Sequence, residues 1–322
     1  MKNLKRFEQI FMGVIIAAVL AFLIRCFFDS QLAGGLFEVM GIGFLLGVPF
    51  LIGYITVYIA EKNYIYKMPF AIFTPWISIM ALFLLTLAFS VEGWACWIMA
   101  LPIFLIASSF GGLWAHNVRK RQNKNKLQLS IVLLLPFIVA PIEHYIGAST
   151  KVSQAYTEIT IHATKRQIWQ NVTRVRTIDQ KQDSASFTRS LGFPRPIKAE
   201  LDKEAVGGRR KAIFDKGLVF DEEVIAYQPE KSMTFTIHAN PYDIPSTTMD
   251  KHIVIGGDYF DVLTGTYQLE QIGPNTCKLH LYSSFKLHTT FNFYADIWAG
   301  LIMKDIQQNI LKVIKERAES QK

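Results

Sequence analysis

The sequence has little cysteine and, in its first half, little charge. Three cysteines are spread over 322 residues and only Cys277 lies in the second half, which excludes a disulfide framework of the kind that staples small secreted domains. The seven histidines show no HExxH or HxxxH spacing, and neither a CxxC pair nor a GxSxG elbow occurs. The sequence therefore gives no support for a metal site, a cofactor or a nucleophile-elbow hydrolase.

Charge is scarcest where the apolar runs are longest. Up to Thr150 there are 11 Lys and Arg and 6 Asp and Glu, against 23 and 20 in the rest of the chain. Much of the net charge of +8 thus belongs to the apolar half, where it reports membrane topology rather than an acidic partner. We expect no nucleic-acid partner.

Five apolar segments approach the ~20 residues that span a bilayer. They are Ile10–Phe28, Leu36–Ala60, Pro69–Phe89, Gly93–Ala115 and Leu127–Ile146, the last interrupted by Pro136 and Pro141. No small-residue cleavage site follows the first segment, so it is expected to be an uncleaved anchor. Gly43 and Gly47 form a small-xxx-small face for a neighbouring helix. Residues 1–150 are therefore predicted to be an all-α transmembrane domain of about five helices.

Loop charge predicts the direction of insertion. Basic residues precede span one and lie between spans two and three and between spans four and five; they are Lys2, Lys5, Arg6, Lys62, Lys67, Arg119, Lys120, Arg121, Lys124 and Lys126. The positive-inside rule then makes the N-terminus cytoplasmic. Five spans leave the rest of the chain outside a cytoplasmic membrane of bacterial type, whereas losing the fifth span would bring it inside.

The second half, residues 151–322, alternates between strand and helix signals. A strand at Ala155–Ala163 precedes a helix that Thr164 can cap. Strands are then predicted at Ile197–Leu201, Gly208–Asp215, Leu218–Tyr227, Ser232–Ala239, Lys251–Leu269 and Thr276–Leu287, before a long amphipathic helix at Asn292–Ser320. This order predicts an α+β domain with an antiparallel sheet. On a helical wheel of the final helix, Trp298, Leu301 and Ile306 fall on the apolar side, whereas Asp296, Lys304 and Gln307 fall on the polar side.

These elements resemble a known superfamily. The opening ITIHATKRQIWQNV, the middle VGGRRKAIFDKGLVFDEEVIAYQPEKSMTFTI and the closing helix with Trp298 look like the START-like superfamily, which includes polyketide cyclase and lipid-transport relatives. The likeness covers about 165 residues and rests on pattern rather than on a catalytic motif. It implies a helix-grip fold, in which a curved sheet wraps around the final helix and encloses a mostly apolar cavity.

If that cavity lies under the final helix, its lining can be named. The expected apolar wall consists of Phe214, Phe220, Phe235, Tyr267, Phe285, Trp298, Leu301 and Ile302. Asp305 and Asn309 interrupt the apolar stripe of the helix, and Arg210 is in phase with Ala212 and Phe214 on its strand. These three polar residues either contact the head group of a ligand or form a buried pair that pins helix to sheet.

Other polar residues offer acid–base alternatives. One of Glu222 and Glu223 must share the face of Phe220 and Val224, and Glu222 is the candidate contact. His238, His280 and Tyr282 form a possible cluster that surface exposure explains as well. Asn240–Asp258 is either a lid over the cavity mouth or an ordinary hairpin.

The leading hypothesis is a binding module anchored in the bilayer, which holds a hydrophobic or lipid-like small molecule. Its main alternative is an enzyme of cyclase or hydrolase type that uses Glu222, Asp305, His238 or His280 as acid or base, with no catalytic residue identified. A structural or signalling role would instead predict a filled core and an exposed apolar patch.

Overall fold

The apolar first half of the chain is helical. The computed structural model describes residues 2–30, 36–60, 67–121, 126–179, 186–239 and 255–321, with backbone alone at 2–10 and 126–129. Its contacts divide the chain into two units. One reaches to Ser149 and takes in Thr289–Phe291; the other consists of Thr150–His288 and the chain from Asn292 onward.

The helices of the first unit follow the apolar segments. They are α1 (Lys2–Phe28), a π-helical turn (Gly43–Gly47) that continues into α2 (Val48–Ile59), α3 (Met68–Ala88), α4 (Trp94–Lys120) and α5 (Lys126–Ile146). Within the described residues, three stretches are long and apolar enough to cross a bilayer, namely Phe11–Phe28, Met68–Ala88 and Trp94–Lys120. Gly43–Ile59 and Ser130–Ile146 are apolar but reach at most 17 residues. Of the five expected spans, three are thus clear candidates, and the other two correspond to shorter apolar helices.

The second apolar helix begins later than expected. Leu36 was the predicted start, but regular helix begins only around Gly43. The Glu143 carboxylate of α5 accepts hydrogen bonds from the N–H groups of Ile42 (2.6 Å) and Gly43 (3.0 Å). Because amides at a helix start have no partner within the helix, this carboxylate satisfies them and fixes the start there.

Glycines allow the helices of this unit to approach closely. A Cβ atom added at Gly43 would lie 3.0 Å from the Ala140 backbone, and one at Gly47 would lie 3.3 Å from Pro136, which confirms that these glycines form a contact face for another helix. The α2–α4 crossing is tighter, since a Cβ at Gly53 would lie 1.8 Å from the Ser108 carbonyl oxygen. Backbone contact at this distance requires glycine.

We therefore expect Gly53→Ala to destabilise the first unit, because α2 and α4 must separate to admit the methyl group. Overpacking of this kind costs about 1–3 kcal/mol. The measurement is the temperature at which half of the detergent-solubilised protein is lost from the monodisperse size-exclusion peak. Gly47→Ala is the control, since its neighbour need only shift by a few tenths of an ångström. Equal midpoints for the two variants would contradict the proposed crossing.

The second unit is built on one antiparallel sheet of seven strands in the order β1-β7-β6-β5-β4-β3-β2. Its elements are β1 (Ser149–Ile161), α6 (Lys165–Thr173), α7 (Phe187–Ser190), β2 (Pro196–Leu201), β3 (Arg209–Phe214), β4 (Val219–Gln228), β5 (Ser232–Ala239), β6 (Phe260–Gly273), β7 (Thr276–Thr289) and α8 (Asn292–Ser320). Every predicted strand is present, and most ends shift by a few residues. The exception is β6, which starts at Phe260 rather than at the predicted Lys251; residues 255–259 are outside the strand, and residues 251–254 lie outside the described residues.

Local chemistry explains these boundaries. Thr164 caps α6 as expected, because its side chain accepts from the Gln167 N–H while the Gln167 side chain accepts from the Thr164 N–H at 2.9 Å. This reciprocal pair is a capping box. The β3–β4 turn passes through Lys216, whose φ is +58°, and Gly217, whose φ is +88°. Left-handed conformations of this kind favour tight turns that contain glycine.

The helix α8 has the bounds that the amphipathic pattern predicts and packs on one face of the sheet. Leu311, Ile314 and Ala318 share a buried cluster with strand residues such as Val224, Met233 and Leu279, and with Ile168 and Trp169 of α6. A sheet that packs around a long C-terminal helix is consistent with the helix-grip arrangement that the resemblance implies.

Candidate functional site

A cavity of about 110 Å³ lies between the sheet and α8. Its wall is mostly apolar and includes Phe214, Phe220, Phe235, Ile237, Leu281 and Ile306. Its polar lining consists of Lys198, Arg210, Glu222, Tyr267, Ser283 and Gln307. A concave apolar site with a few polar groups is the usual form of a small-molecule site.

The polar lining includes a buried ion pair. Arg210 of β3 and Glu222 of β4 lie directly opposite each other in the sheet, and Arg210 Nη1 donates to Glu222 Oε2. Their exposed fractions are 4% and 6%. Burial disfavours the charge on Arg210, but the neighbouring Glu222 carboxylate, together with Tyr267, outweighs it and raises the arginine pKa, so the guanidinium stays protonated. Burial also raises the pKa of Glu222, which Arg210 opposes.

The same guanidinium interacts with the Tyr267 hydroxyl and with an aromatic ring, and one of its nitrogens lacks a partner among the described residues. Its Cζ lies 5.2 Å from the centre of the Phe235 ring, a cation–π distance. Its Nε is buried and has no hydrogen-bond acceptor in the part of the chain that the structure describes. Because buried donors are nearly always paired, an orphaned N–H at a cavity wall marks a place for a ligand or a water molecule.

Gln307 joins α8 to the sheet. Its Oε1 accepts from the Thr157 hydroxyl at 3.0 Å, and its Nε2 donates to Ser283 Oγ at 2.8 Å and to the Ala155 carbonyl at 3.4 Å. The side-chain amide is only 2% exposed. These bonds satisfy the amide within the protein, so Gln307 positions the helix over the cavity.

The structure brings half of the sequence-predicted site residues to this cavity. Arg210, Phe214, Phe220, Glu222, Phe235 and Tyr267 line it, and Glu223 is exposed on the other face. The described lining does not include Phe285, Trp298, Leu301, Ile302, Asp305 or Asn309. Phe285 packs instead with Ala155 and Ala299, and Trp298 stacks on Phe187 at 6.4 Å.

The helical wheel misassigned the face of α8. Leu301 was expected under the helix but is half exposed, whereas Gln307 was expected in solvent and is buried. The residues of α8 that face the cavity are Met303, Ile306, Gln307 and Ile310. The hydropathy pattern of the helix does not predict this face. Gln307 can be buried because it hydrogen-bonds to Thr157 and Ser283, which lie on strands far away in the sequence.

Asp305 is not part of the described cavity lining and does not pair with Arg210. Its Oδ2 accepts from the Thr188 N–H at 2.9 Å and from the Thr188 hydroxyl at 2.6 Å, and the pairing that the sequence suggested is replaced by Arg210–Glu222. Burial raises the pKa of Asp305, but the bonds from Thr188 and from the Phe187 N–H outweigh it and lower the pKa below its ordinary value. The carboxylate therefore anchors the start of α7 to α8.

Asp305→Asn should weaken this anchor, because a neutral amide accepts hydrogen bonds less strongly than a carboxylate. A difference of ~1 kcal/mol predicts about fivefold faster amide exchange in the peptide that spans residues 187–191. Asp305 has a lowered pKa, so its contribution is complete above the ordinary value of 3.8 and is lost as the pH falls through the lower folded value.

Hydrogen exchange followed by mass spectrometry at pH 7 and pH 5 should thus show the same difference between variant and wild type, and the difference should shrink below pH 3.8. Asp296→Asn is the matched control, since Asp296 lies on the same helix but pairs with Lys151. A pH-independent difference, or an equal effect in the control, would contradict the anchor.

The expected cluster of His238, His280 and Tyr282 is divided. His280 Nδ1 lies 2.9 Å from the Tyr156 hydroxyl, and Tyr156 stacks on Tyr282 at 4.8 Å. The hydrogen bond to Glu158 raises the pKa of Tyr156 to about 12. This group lies on the sheet face opposite the cavity, because Leu281 and Ser283, which alternate with it along β7, line the cavity. His238 is an exposed residue of β5.

The chemistry available in the cavity is therefore limited. Its described lining contains no histidine, and its one carboxylate, Glu222, is committed to Arg210. Among the described residues, no group of three or more His, Cys, Asp or Glu side chains could hold a metal ion. Residues 240–254 of the expected lid lie outside the described residues.

Comparisons with known proteins give structural likenesses only. No family model matches the chain, and no curated protein sequence matches it. Norcoclaurine synthase from Thalictrum flavum, in complex with dopamine and hydroxybenzaldehyde, is 16% identical, with 55% of this chain and 91% of that chain covered and a TM-score of 0.33.

Two bacterial structures are similar to the same degree. A protein from Mesorhizobium loti is 17% identical over 53% of this chain and 99% of that chain, with a TM-score of 0.33. The Zhui aromatase/cyclase from a Streptomyces species is 12% identical over 53% and 96%, with a TM-score of 0.35. These TM-scores lie below 0.5, so the likenesses carry no argument about function.

Proposed function

We propose that this chain is a membrane-anchored, START-like module whose second unit binds a small molecule with an apolar body in the cavity between the sheet and α8. The observation that carries the proposal is the cavity itself, whose wall is aromatic and aliphatic and whose polar lining includes the buried Arg210–Glu222 pair. A cavity of this kind, in a chain that also carries long apolar helices, suits a ligand that partitions into membranes.

The size of the cavity narrows the ligand. At about 110 Å³ it is smaller than the roughly 300–1,000 Å³ of sites for drug-sized molecules. It is closer to the ~150 Å³ engineered cavity that binds benzene. The ligand is therefore a compact ring or a short chain, or the part of a lipid-like molecule that enters between sheet and helix.

Filling the cavity should abolish binding. Ile306→Trp places an indole in the cavity, so we expect at least about tenfold weaker binding of a compact neutral probe such as benzene, which corresponds to ~1.4 kcal/mol. Probe titrations use the full chain in nanodiscs, with empty nanodiscs subtracted. Ile297→Trp is the matched control, since Ile297 lies on the same helix and is 57% exposed. Unchanged binding in Ile306→Trp would remove the cavity as the site.

A cyclase- or hydrolase-type enzyme is the second candidate, because burial raises the pKa of the cavity carboxylate Glu222. A general acid needs such a shift. We place the enzyme second because the Glu222 carboxylate is already hydrogen-bonded to Arg210. Turnover of a bound compound that Glu222→Gln abolishes while binding persists would reverse the order.

We also propose that all five apolar helices cross the membrane, with the N-terminus in the cytoplasm and the second unit outside. The basic loops support this direction. Reporter fusions after Thr150 and at the C-terminus should give extracytoplasmic signals, and a fusion between α2 and α3 should give a cytoplasmic one. Cytoplasmic signals from both of the first two fusions would show an even number of spans and overturn the placement.

A further inference from the structure

We infer that the cavity selects a neutral ligand that carries a hydrogen-bond acceptor, a carbonyl or hydroxyl oxygen on a compact apolar body, and disfavours a carboxylate of the same size. This inference rests on the proposed binding function and names the class of ligand for that site. Three observations carry it: an orphaned donor, a balanced charge and an apolar wall.

The donor is the Nε–H of Arg210. Arg210 lines the cavity and is 4% exposed. Glu222 accepts from its Nη1 and Tyr267 interacts with the same guanidinium, but its Nε has no acceptor among the described residues. A buried donor without a partner is costly, and a ligand oxygen that accepts from it relieves that cost. A hydrocarbon of the same shape leaves the donor orphaned, so binding should discriminate between the two.

The buried charges of the cavity are already balanced. Lys198, the other charged residue of the lining, is paired with Glu200 through a hydrogen bond of 2.7 Å. Glu222 is 6% exposed and lies opposite Arg210 on the neighbouring strand, so the guanidinium and the carboxylate compensate each other inside the protein. A second carboxylate at the Nε side would lie close to Glu222 and leave the site with a net negative charge away from water. Two carboxylates in a site that excludes water oppose each other's ionisation. A carboxylate ligand could therefore bind only together with a proton.

The surrounding wall accommodates an apolar body. The face of Phe235 is used by the guanidinium, and Gly265 approaches the same ring so closely that a Cβ would lie 2.5 Å from it. Phe220, Ile237 and Ile306 complete the apolar lining on the strand and helix sides. One polar contact within such a wall orients a ligand without requiring further polar groups.

The test compares three small cyclic compounds with the same number of heavy atoms: cyclohexanone, the isosteric hydrocarbon methylenecyclohexane, and cyclobutanecarboxylate. Dissociation constants are measured at pH 7.5 by titration of the full chain in lipid nanodiscs, with empty nanodiscs subtracted. The ketone should bind at least about tenfold more tightly than the hydrocarbon, as expected for a hydrogen bond to a charged donor. The carboxylate should bind at least about tenfold more weakly than the ketone and should gain affinity as the pH falls.

The outcomes separate the two proposals. If neither neutral compound binds, the proposed binding function fails. If the ketone and the hydrocarbon bind equally, the cavity binds ligands but Arg210 does not select an acceptor, and only the present inference fails. If the carboxylate binds more tightly than the ketone at pH 7.5, the charge-balance argument is wrong.

A double variant tests the assignment to Arg210. Arg210→Met with Glu222→Leu removes both charges together, because removal of one would leave the other buried and unpaired. This variant should retain the affinity for methylenecyclohexane within about threefold and lose the preference for cyclohexanone. A preference that survives in the double variant would overturn the assignment, and the wild-type comparison decides the ligand class even if the double variant fails to fold.

Discussion

The cavity of the second unit depends on an ion pair that is buried away from water, where a charge is least stable. Arg210 and Glu222 face each other on adjacent strands beneath α8, and both are almost fully buried. Removing one partner from such a pair costs about 3–5 kcal/mol, whereas replacing both with apolar residues is often neutral. The pair is therefore weak as an explanation of stability and stronger as an explanation of specificity, since it places one charged donor in an otherwise apolar cavity.

A second constraint holds the helix over that cavity. Gln307 contacts β1 through Thr157 and β7 through Ser283, while Asp305 on the same helix binds Thr188 of α7. Two polar residues separated by one position thus serve different attachments, one to the sheet and one to the short helix beside it. Neither needs a ligand to satisfy it, and this leaves the cavity chemistry to Arg210, Glu222 and Tyr267.

The fold was largely predictable from the sequence because its signals are local. Alternation places the strands, Thr164 and Gln167 form the expected cap, and the long amphipathic segment is α8. The alternation of side chains along a strand also predicted which residues share a face. Arg210 shares a face with Ala212 and Phe214, and Glu222 shares one with Phe220 and Val224. That both face inward, and pair with each other, required the register of β3 against β4.

The candidate site was harder to predict because burial on a helix depends on partners that lie far away in sequence. Periodicity alone put Trp298 and Leu301 in the cavity and Gln307 in solvent; the sheet reverses this, since Thr157 and Ser283 offer the hydrogen bonds that a buried amide needs. The same reasoning applies to the orphaned Arg210 Nε. A satisfied polar group such as Gln307 explains structure, while a buried donor that the protein leaves unpaired directs attention to what enters the cavity. In this unit, function is therefore to be sought where hydrogen bonding is incomplete rather than where polarity is merely unexpected.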